Sequence, residues 1–416
     1  MKITLAISYF LVVLLKFSNQ QCFSLNDKAT PNRKSHADLY AGQQEFSLTL
    51  LNAINKFMPN ENLFFSPYST YHALLLTYFM AGKQTENYLK KVLKLDLHEK
   101  EEKLDIFNAY KLDKFLTQLM AKDAPFEFTN ANKIYVADNI PIRECMKSLF
   151  HEELEEIAFN QDPEGARKYI NNWVENSTHN MIKDLMPPGT IDQSTNLVLV
   201  NAAYFKGIWE NKFNPNLTKK EVFYVSPSKQ IMVDMMHVEG LFGHDVSEKL
   251  GAHILELPYQ GNNISMYILL PPFTKDNSIE ATLKNLTIEN FMSVINSETL
   301  VPKTVKVALP KFSLETTVEL VPILESLGVG NLFRDNSDFS SLTTKKITVA
   351  EGVHKARIDI NEIGSQAAAA TAIFSWRMGD EDEVLQFICN SPFIYFIYNK
   401  KSHTVLFSGI FRKKNI

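Results

Sequence analysis

Cysteine is scarce in this chain: there are three in 416 residues, at positions 22, 145 and 389. So few thiols exclude a small disulfide-built scaffold and any C-x-x-C zinc or redox site, and a chain of this length can bury a core without such staples. An excess of charge of one sign is missing too. Lys and Arg total 43 against 47 for Asp and Glu, a formal net charge of -4, so nothing draws the whole surface to nucleic acid or anionic membranes and any basic site must be local. After the N-terminus no apolar run reaches the ~20 residues of a membrane helix. Linkers, repeats and low-complexity tracts are lacking between residues 36 and 412, and one integrated domain over 25–416 is expected.

Catalytic motifs are missing as well. There is no G-x-S-x-G elbow, no Walker loop, and His151-Glu152 is followed by Glu155 where a zinc-protease helix needs a second histidine. Gly328-Val-Gly330 lacks the third glycine of a phosphate turn. Glu152, Glu153, Glu155 and Glu156 are expected to form a solvated helix face. His354, in the strand-like "VHKARIDI", is expected to be a hydrogen-bonded core histidine. No metal or cofactor is expected. Because triads assemble only in three dimensions, a secreted hydrolase stays as a remote alternative.

What is present begins with "MKITLAISYFLVVLLKFSNQQCFS", with Lys2 as a basic end, an apolar core from Leu5 to Leu15, and small residues Cys22 and Ser24 spaced for cleavage. This predicts a secretory signal peptide over 1–24 and an extracellular protein, with a signal anchor as the alternative. Cleavage after Ser24 would remove Cys22, leaving Cys145 and Cys389 either free and buried or joined to each other. Asn176, Asn216, Asn263 and Asn285 open Asn-X-Ser/Thr sequons, candidate glycosylation sites on a secreted chain.

The first half reads as helical. Leu39, Phe46, Leu50, Ile54 and Phe57 mark one helical face; "SPYSTYHALLLTYFMAG" opens with a Ser cap and Pro67, and "GARKYINNWVENSTHNMIKDLM" is expected to run to Pro187. Strand-rich runs follow ("TNLVLVNAAYFKGIW", "HILELPY", "ISMYILLPP", "KTVKVALPKF", "ARIDIN", "PFIYFIYN", "TVLFSGIF"), with helical inserts near 278–297 and 316–327. This order argues for an α+β fold with mainly antiparallel or mixed sheets.

Several motifs then coincide: "NLFFSPYST", "NNWVENST", "LMPPGTI", "NLVLVNAAYFKGIWENKF", "LPKF", "LGVGNLF", "VHKARIDINEIGSQAAAAT" and "NSPFIYFIY…VLFSGIF". In this order, over nearly the whole mature chain, they resemble the serpins, a superfamily dominated by secreted serine-protease inhibitors. The resemblance implies three β-sheets, about nine helices and an exposed reactive centre loop at about 362–386. It implies that Ser66, Ser69, Asn201 and His354 form a polar cluster beneath the central strands of the main sheet. It places Trp209 at the top of that sheet, where plain core packing is the alternative role.

In inhibitory serpins a protease cuts the loop, and the loop's N-terminal part then enters the main sheet as a new strand. That demand can be checked on the residues themselves. An inserted strand must pair on both edges, which excludes proline, and must bury one face, which excludes charge there. From Gly364 to Trp376 there is neither. Small side chains pass a packed gap most easily, and the hinge Glu362, Gly364, Ser365, Ala367, Ala368, Ala369, Ala370 and Thr371 is built mostly of them. Taken alone, the alanine run also suits a helix.

By the resemblance, counting loop residues from Gly364 as in most inhibitory serpins puts the scissile bond between Met378 and Gly379, which suits a chymotrypsin-like or elastase-like protease. A loop one residue shorter puts it between Arg377 and Met378, which suits a trypsin-like one. The wording resembles arthropod serpins of clotting, melanisation and Toll-type cascades. Lys90, Lys91 and Lys94 are a candidate sulfated-polysaccharide patch, diluted by Glu99, Glu101 and Glu102. A monomer with an extracellular serine protease as partner is expected, and a noninhibitory carrier or chaperone is the alternative.

Overall fold

The computed structural model describes residues 22–23, 33–96, 102–122, 124–273, 278–365 and 384–413. Nine α-helices occur among them, in two groups around a large body of strands. The first group is α1 (Arg33–Phe57), α2 (Pro67–Met80), α3 (Lys83–Val92), α4 (Lys103–Ala121), α5 (Glu144–Leu149) and α6 (Pro163–Ser177). The second is α7 (Ser278–Asn285), α8 (Ile288–Ile295) and α9 (Leu320–Ser326). No helix among the described residues is long and apolar enough to cross a membrane.

Local chemistry sets the helix ends. Ser66 caps α2 by accepting from Ser69 N at 3.0 Å, and Pro67 follows where its missing N–H costs nothing. Every residue of α2 is buried. Asp162 caps α6 by accepting from Gly165 N at 2.9 Å. That helix stops at Ser177, short of the expected Pro187. Thr178 Oγ1 donates to Val174 O at 2.8 Å, and His179 and Asn180 adopt left-handed φ of 52° and 62°, turning the chain before the prolines are reached.

One sheet has five strands in the order β10 (Phe312–Glu319), β11 (Val349–Ile360), β4 (Leu197–Gly207), β2 (Phe126–Ala137), β3 (Leu154–Ile157). Its centre is the parallel pair β4–β11, paired from Val349↔Leu197 to Arg357↔Tyr204 with a register shift between Val349 and Glu351; the outer neighbours β10 and β2 run antiparallel to them. A second hydrogen-bonded path runs β1 (Leu63–Phe65), β14 (Thr404–Phe411), β13 (Phe393–Asn399), β8 (Ile264–Leu270), β7 (Ala252–Pro258), β6 (Lys229–Ser247), β9 (Pro302–Pro310), β12 (Leu385–Ile388), with β5 (Lys219–Ser226) on β6. Long β6 joins the expected second and third sheets, because residues 243–247 pair with β7 while 235–243 pair with β9. Strands β13 and β14 are buried on both faces, as their unbroken apolar runs require.

Three further expectations are corrected. The glutamates at 152–156 lie on and before strand β3, not on a helix, and are ion-paired: Lys114 holds Glu152 and Glu153, Lys133 holds Glu155, and Lys147 holds Glu156. The insert near 316–327 begins as strand β10, whose alternating burial of Leu314, Thr316 and Val318 gives period two, and turns helical only at Leu320. Cys145 pairs with neither Cys389 nor solvent: it forms a disulfide with Cys22, leaving Cys389 as a buried free thiol whose pKa burial pushes up.

Candidate functional site: a hinge anchored above a closed strand seam

Pairing between β4 and β11 ends at Arg357↔Tyr204, while β4 continues on β2 to Gly207 and β11 continues on β10 to Ile360. The two central strands therefore part at their upper ends, and the chain leaving β11 crosses that opening. Asn361 makes the turn: its Oδ1 accepts from Ile363 N at 3.0 Å and from Gly364 N at 3.3 Å. Backbone bonds then hold the hinge to β4 and the segment after it, from Ser365 N to Gly207 O at 2.6 Å, Trp209 N to Ile363 O at 2.8 Å and Phe213 N to Glu362 O at 2.9 Å. Gly364 is obligatory at this approach, since a Cβ there would come within 1.9 Å of Gly207 O.

Side chains lock the same place. Trp209 stacks on Tyr259 with ring centroids 4.4 Å apart and donates Nε1–H to Asn361 O at 3.0 Å. Trp209 is thus buried core and also holds the Asn361 turn through its ring N–H. Ser365 is fully buried, its Oγ 2.7 Å from the Tyr259 hydroxyl. Glu362 is buried between Lys311 Nζ at 2.9 Å and Thr218 Oγ1 at 2.9 Å. Burial alone would raise its carboxyl pKa, but the hydrogen bonds and charge of Lys311, with Thr218, outweigh this and hold it below the usual range. Glu362→Lys sets two ammonium groups face to face. It is expected to cost about 2 kcal/mol, modest because Lys311 is half exposed, and Glu362→Gln under ~1 kcal/mol. Urea midpoints of the two variants check this.

Lower on the seam, His354 and Asn201 are directly opposed across β11 and β4. Ser66 N donates to His354 Nε2 at 2.9 Å, so the ring proton sits on Nδ1 and is donated to Asn201 Oδ1. Asn201 Nδ2 donates to Ser69 Oγ at 2.6 Å and to Asn132 Oδ1. Ser69 Oγ donates to Asn130 Oδ1 at 2.6 Å, and Ser66 Oγ to Leu406 O at 2.7 Å. The four expected residues are therefore one buried network, fastening β4 and β11 to each other and to α2. A strand entering the seam must break the His354–Asn201 bond.

Complete burial lowers the His354 pKa to about 3. The unfolded ring binds its proton near pH 6.5, so between those values the unfolded state holds more protons and stability rises with pH. Going from pH 7.5 to pH 5 is expected to remove about 2 kcal/mol through this residue alone. A urea titration at both pH values, compared with His354→Gln, reads that difference as a smaller pH loss in the variant.

Asn130 and Asn132, two apart on β2 and so on one face, were not foreseen, nor were Tyr259, Lys311 and Thr218. Alternating asparagines in "FTNANKIY" were the available signal. Ala367, Ala368, Ala369, Ala370 and Thr371, and the candidate bonds at Arg377, Met378 and Gly379, lie outside the described residues, as does the leader up to residue 21. Sequon residues Asn176, Asn216 and Asn285 are exposed and Asn263 is half-buried. Lys94 is paired with Glu45 at 2.7 Å.

A closed seam with a hinge pinned over its entry can be compared with known proteins. The chain is 39% identical over 391 residues, 90% of each chain, to serine protease inhibitor 88Ea of Drosophila melanogaster, and 34% identical to the leukocyte elastase inhibitor of Equus caballus, covering 90% of this chain and 98% of that one. Among solved structures it resembles Serpin48, described as a highly specific serpin of the insect Tenebrio molitor, with a TM-score of 0.77 and 29% identity over 91% of this chain and 99% of that one. Uncleaved ovalbumin matches with a TM-score of 0.78 and 26% identity, over 90% of this chain and 100% of that one. The family model for serpin (serine protease inhibitor) matches residues 41–413, and with the α+β fold and the relatives it shows that this chain belongs to the serpin family.

Proposed function

We propose that this serpin is a secreted inhibitor of serine proteases that traps its target. The protease cleaves the loop near Arg377, Met378 and Gly379, and the segment 364–376 then enters the β4–β11 seam as a new strand before the acyl-enzyme hydrolyses. The observation that carries this reading is the hinge. Residues 362–365 sit over the point where β4 and β11 part, and the following residues to Trp376 contain neither proline nor charge. Strand addition of this kind, of which serpin loop insertion is a known instance, draws its affinity from backbone pairing on both edges. The covalent link comes from the protease's own serine, so the inhibitor needs no cofactor.

Secretion is supported by the N-terminal leader pattern and by exposed sequons, which suit glycosylation of Asn176, Asn216 and Asn285. An extracellular protease cascade of clotting, melanisation or Toll-type immunity is the setting proposed, from the arthropod relative and the leader. For the scissile bond, loop counting favours Met378–Gly379 and the cascade setting favours Arg377–Met378. Asp380, Glu381, Asp382 and Glu383 follow directly and suit a protease with a basic rim. Polysaccharide activation through Lys90 and Lys91 is the weaker part of the reading, since Lys94 is already engaged by Glu45.

Mixing the mature protein with trypsin and with chymotrypsin tests the proposal on denaturing gels, with the released peptide weighed. An SDS-stable complex is expected. A peptide starting at Met378 assigns Arg377 as bait, and one starting at Gly379 assigns Met378. Clean cleavage without complex by both enzymes, and by proteases of the serum or haemolymph type, favours the carrier reading instead.

A further inference from the structure

Cys22 and Phe23 are adjacent, and the fold uses both. Cys22 is bonded to Cys145 of α5 across 123 residues. Phe23 lies 5.2 Å from Phe107 on α4, 5.8 Å from Phe79 near the end of α2 and 6.5 Å from Phe150 just after α5, measured between ring centroids. Those three rings already pack on one another at 5.3 to 5.8 Å, so Phe23 is the fourth member of an aromatic cluster where three helices meet. Two neighbouring residues thus reach two different bodies: one is covalently fixed to α5 and the other is wedged against α2 and α4.

The position matters for the seam. Helix α5 joins β2 to β3, and both strands lie on the β4 side of the β4–β11 boundary. Parting β4 from β11 must carry β2, α5 and β3 along, while α2 packs both on β2 and β4 of this sheet and on β14 of the other. A link from α5 to the end of α2 therefore ties the β2–β3 side of the sheet to a helix that the other sheet also holds, and adds to what must slip when the seam opens.

We propose that Cys22–Cys145 is an oxidative modification of the mature protein that, with Phe23, forms an N-terminal clip restraining the opening of the main sheet, and that the leader is removed upstream of Cys22. The expected cleavage after Ser24 and this disulfide exclude one another, since that cut discards Cys22. Chemically, one thiolate attacks a disulfide of a secretory-pathway carrier protein or of glutathione, and the second cysteine displaces the carrier thiol. Two cysteine thiols lose two protons and two electrons, and the carrier disulfide becomes a dithiol. The loop closed is long, so the restraint on the unfolded chain is large. The clip rests on the secretory reading in needing an oxidising compartment and a leader cut upstream of Cys22.

The test uses the full chain expressed in a eukaryotic secretory host. The N-terminus of the secreted protein is determined, free thiols are alkylated without reduction, and peptides are mapped. A chain that keeps Cys22, a Cys22–Cys145 cross-linked peptide and alkylation of Cys389 alone on unfolding are expected. A start beyond Cys22, alkylation of Cys145 without reduction, or a Cys145–Cys389 peptide overturns the clip. Retained Met1 together with the cross-link supports the disulfide and overturns removal of the leader. Mild reduction of wild type is then expected to lower the melting midpoint by roughly 5 °C and to speed loss of inhibitory capacity on warm storage by about threefold or more. Cys22→Ser reproduces both changes and no longer responds to reductant. Phe23→Ala keeps the cross-link and shows a smaller part of each. A midpoint and a storage lifetime that reduction leaves unchanged overturn the restraining role, and reduction of wild type gives that reading even where a variant fails to be secreted.

Discussion

Ala369→Arg is expected to turn the inhibitor into a substrate: the loop is still cut, but the protease is released. On the proposed mechanism, trapping is a race between insertion of the cleaved loop and hydrolysis of the acyl-enzyme. In the proposed inserted strand Ala369 would share a face with Ser365 and Ala367 by period two, and Ser365 is already fully buried at the entry. Carrying a guanidinium into the seam adds a burial cost of several kcal/mol that nothing in the His354–Asn201 network offsets. An insertion barrier raised by ~2 kcal/mol slows insertion roughly 30-fold, enough to let hydrolysis win. The stoichiometry of inhibition and the fraction of SDS-stable complex measure it. Complex formation at the wild-type ratio would contradict burial of this position.

Asn201→Ala is the second large effect. One fully buried side chain accepts from His354 and donates to Ser69 Oγ and Asn132 Oδ1. Its loss strands the imidazole N–H in the interior and leaves Asn132 Oδ1 only the longer bond from Ser69 Oγ at 3.3 Å, and is expected to cost about 3 kcal/mol of native stability. The same change removes the side-chain bond that seam opening has to break, so conversion to a noninhibitory, loop-inserted form on warming should be faster than in wild type. Urea unfolding gives the first quantity and residual inhibition after incubation the second. A destabilised variant that keeps its inhibitory lifetime would separate the network from the seam.

How legible these elements were in the sequence follows from the range over which their causes act. The Ser66 cap, Pro67 and the apolar run behind them define α2 locally, and the lone His354 on a β-rich run reads as a buried histidine without further help. The resemblance then linked residues 66, 69, 201 and 354, which no local pattern connects. Anchors of the hinge were harder. Lys311 and Thr218 meet Glu362 only because β9, β5 and the end of β11 converge, and Tyr259, just past β7, reaches Ser365 from a distant part of the chain. The end of α6 was misplaced because Pro187 is a strong local stop, whereas the real terminus depends on Thr178 and two left-handed residues. The glutamates around β3 look like a helix face in one dimension, and their partners Lys114, Lys133 and Lys147 come from three separate elements. Cys22 was assigned to the leader by cleavage spacing, and only the fold brings it to Cys145.

The central claim is that the β4–β11 seam opens to receive the loop as a strand. Nicking the loop with a protease that is not trapped, then comparing thermal unfolding of intact and nicked protein, tests it most directly. Insertion adds one strand paired on both edges, and the account predicts a rise in the melting midpoint of roughly 20 °C or more after the cut. An unchanged or lower midpoint, with the nick confirmed by mass, would mean that the seam stays closed and that this serpin acts without insertion.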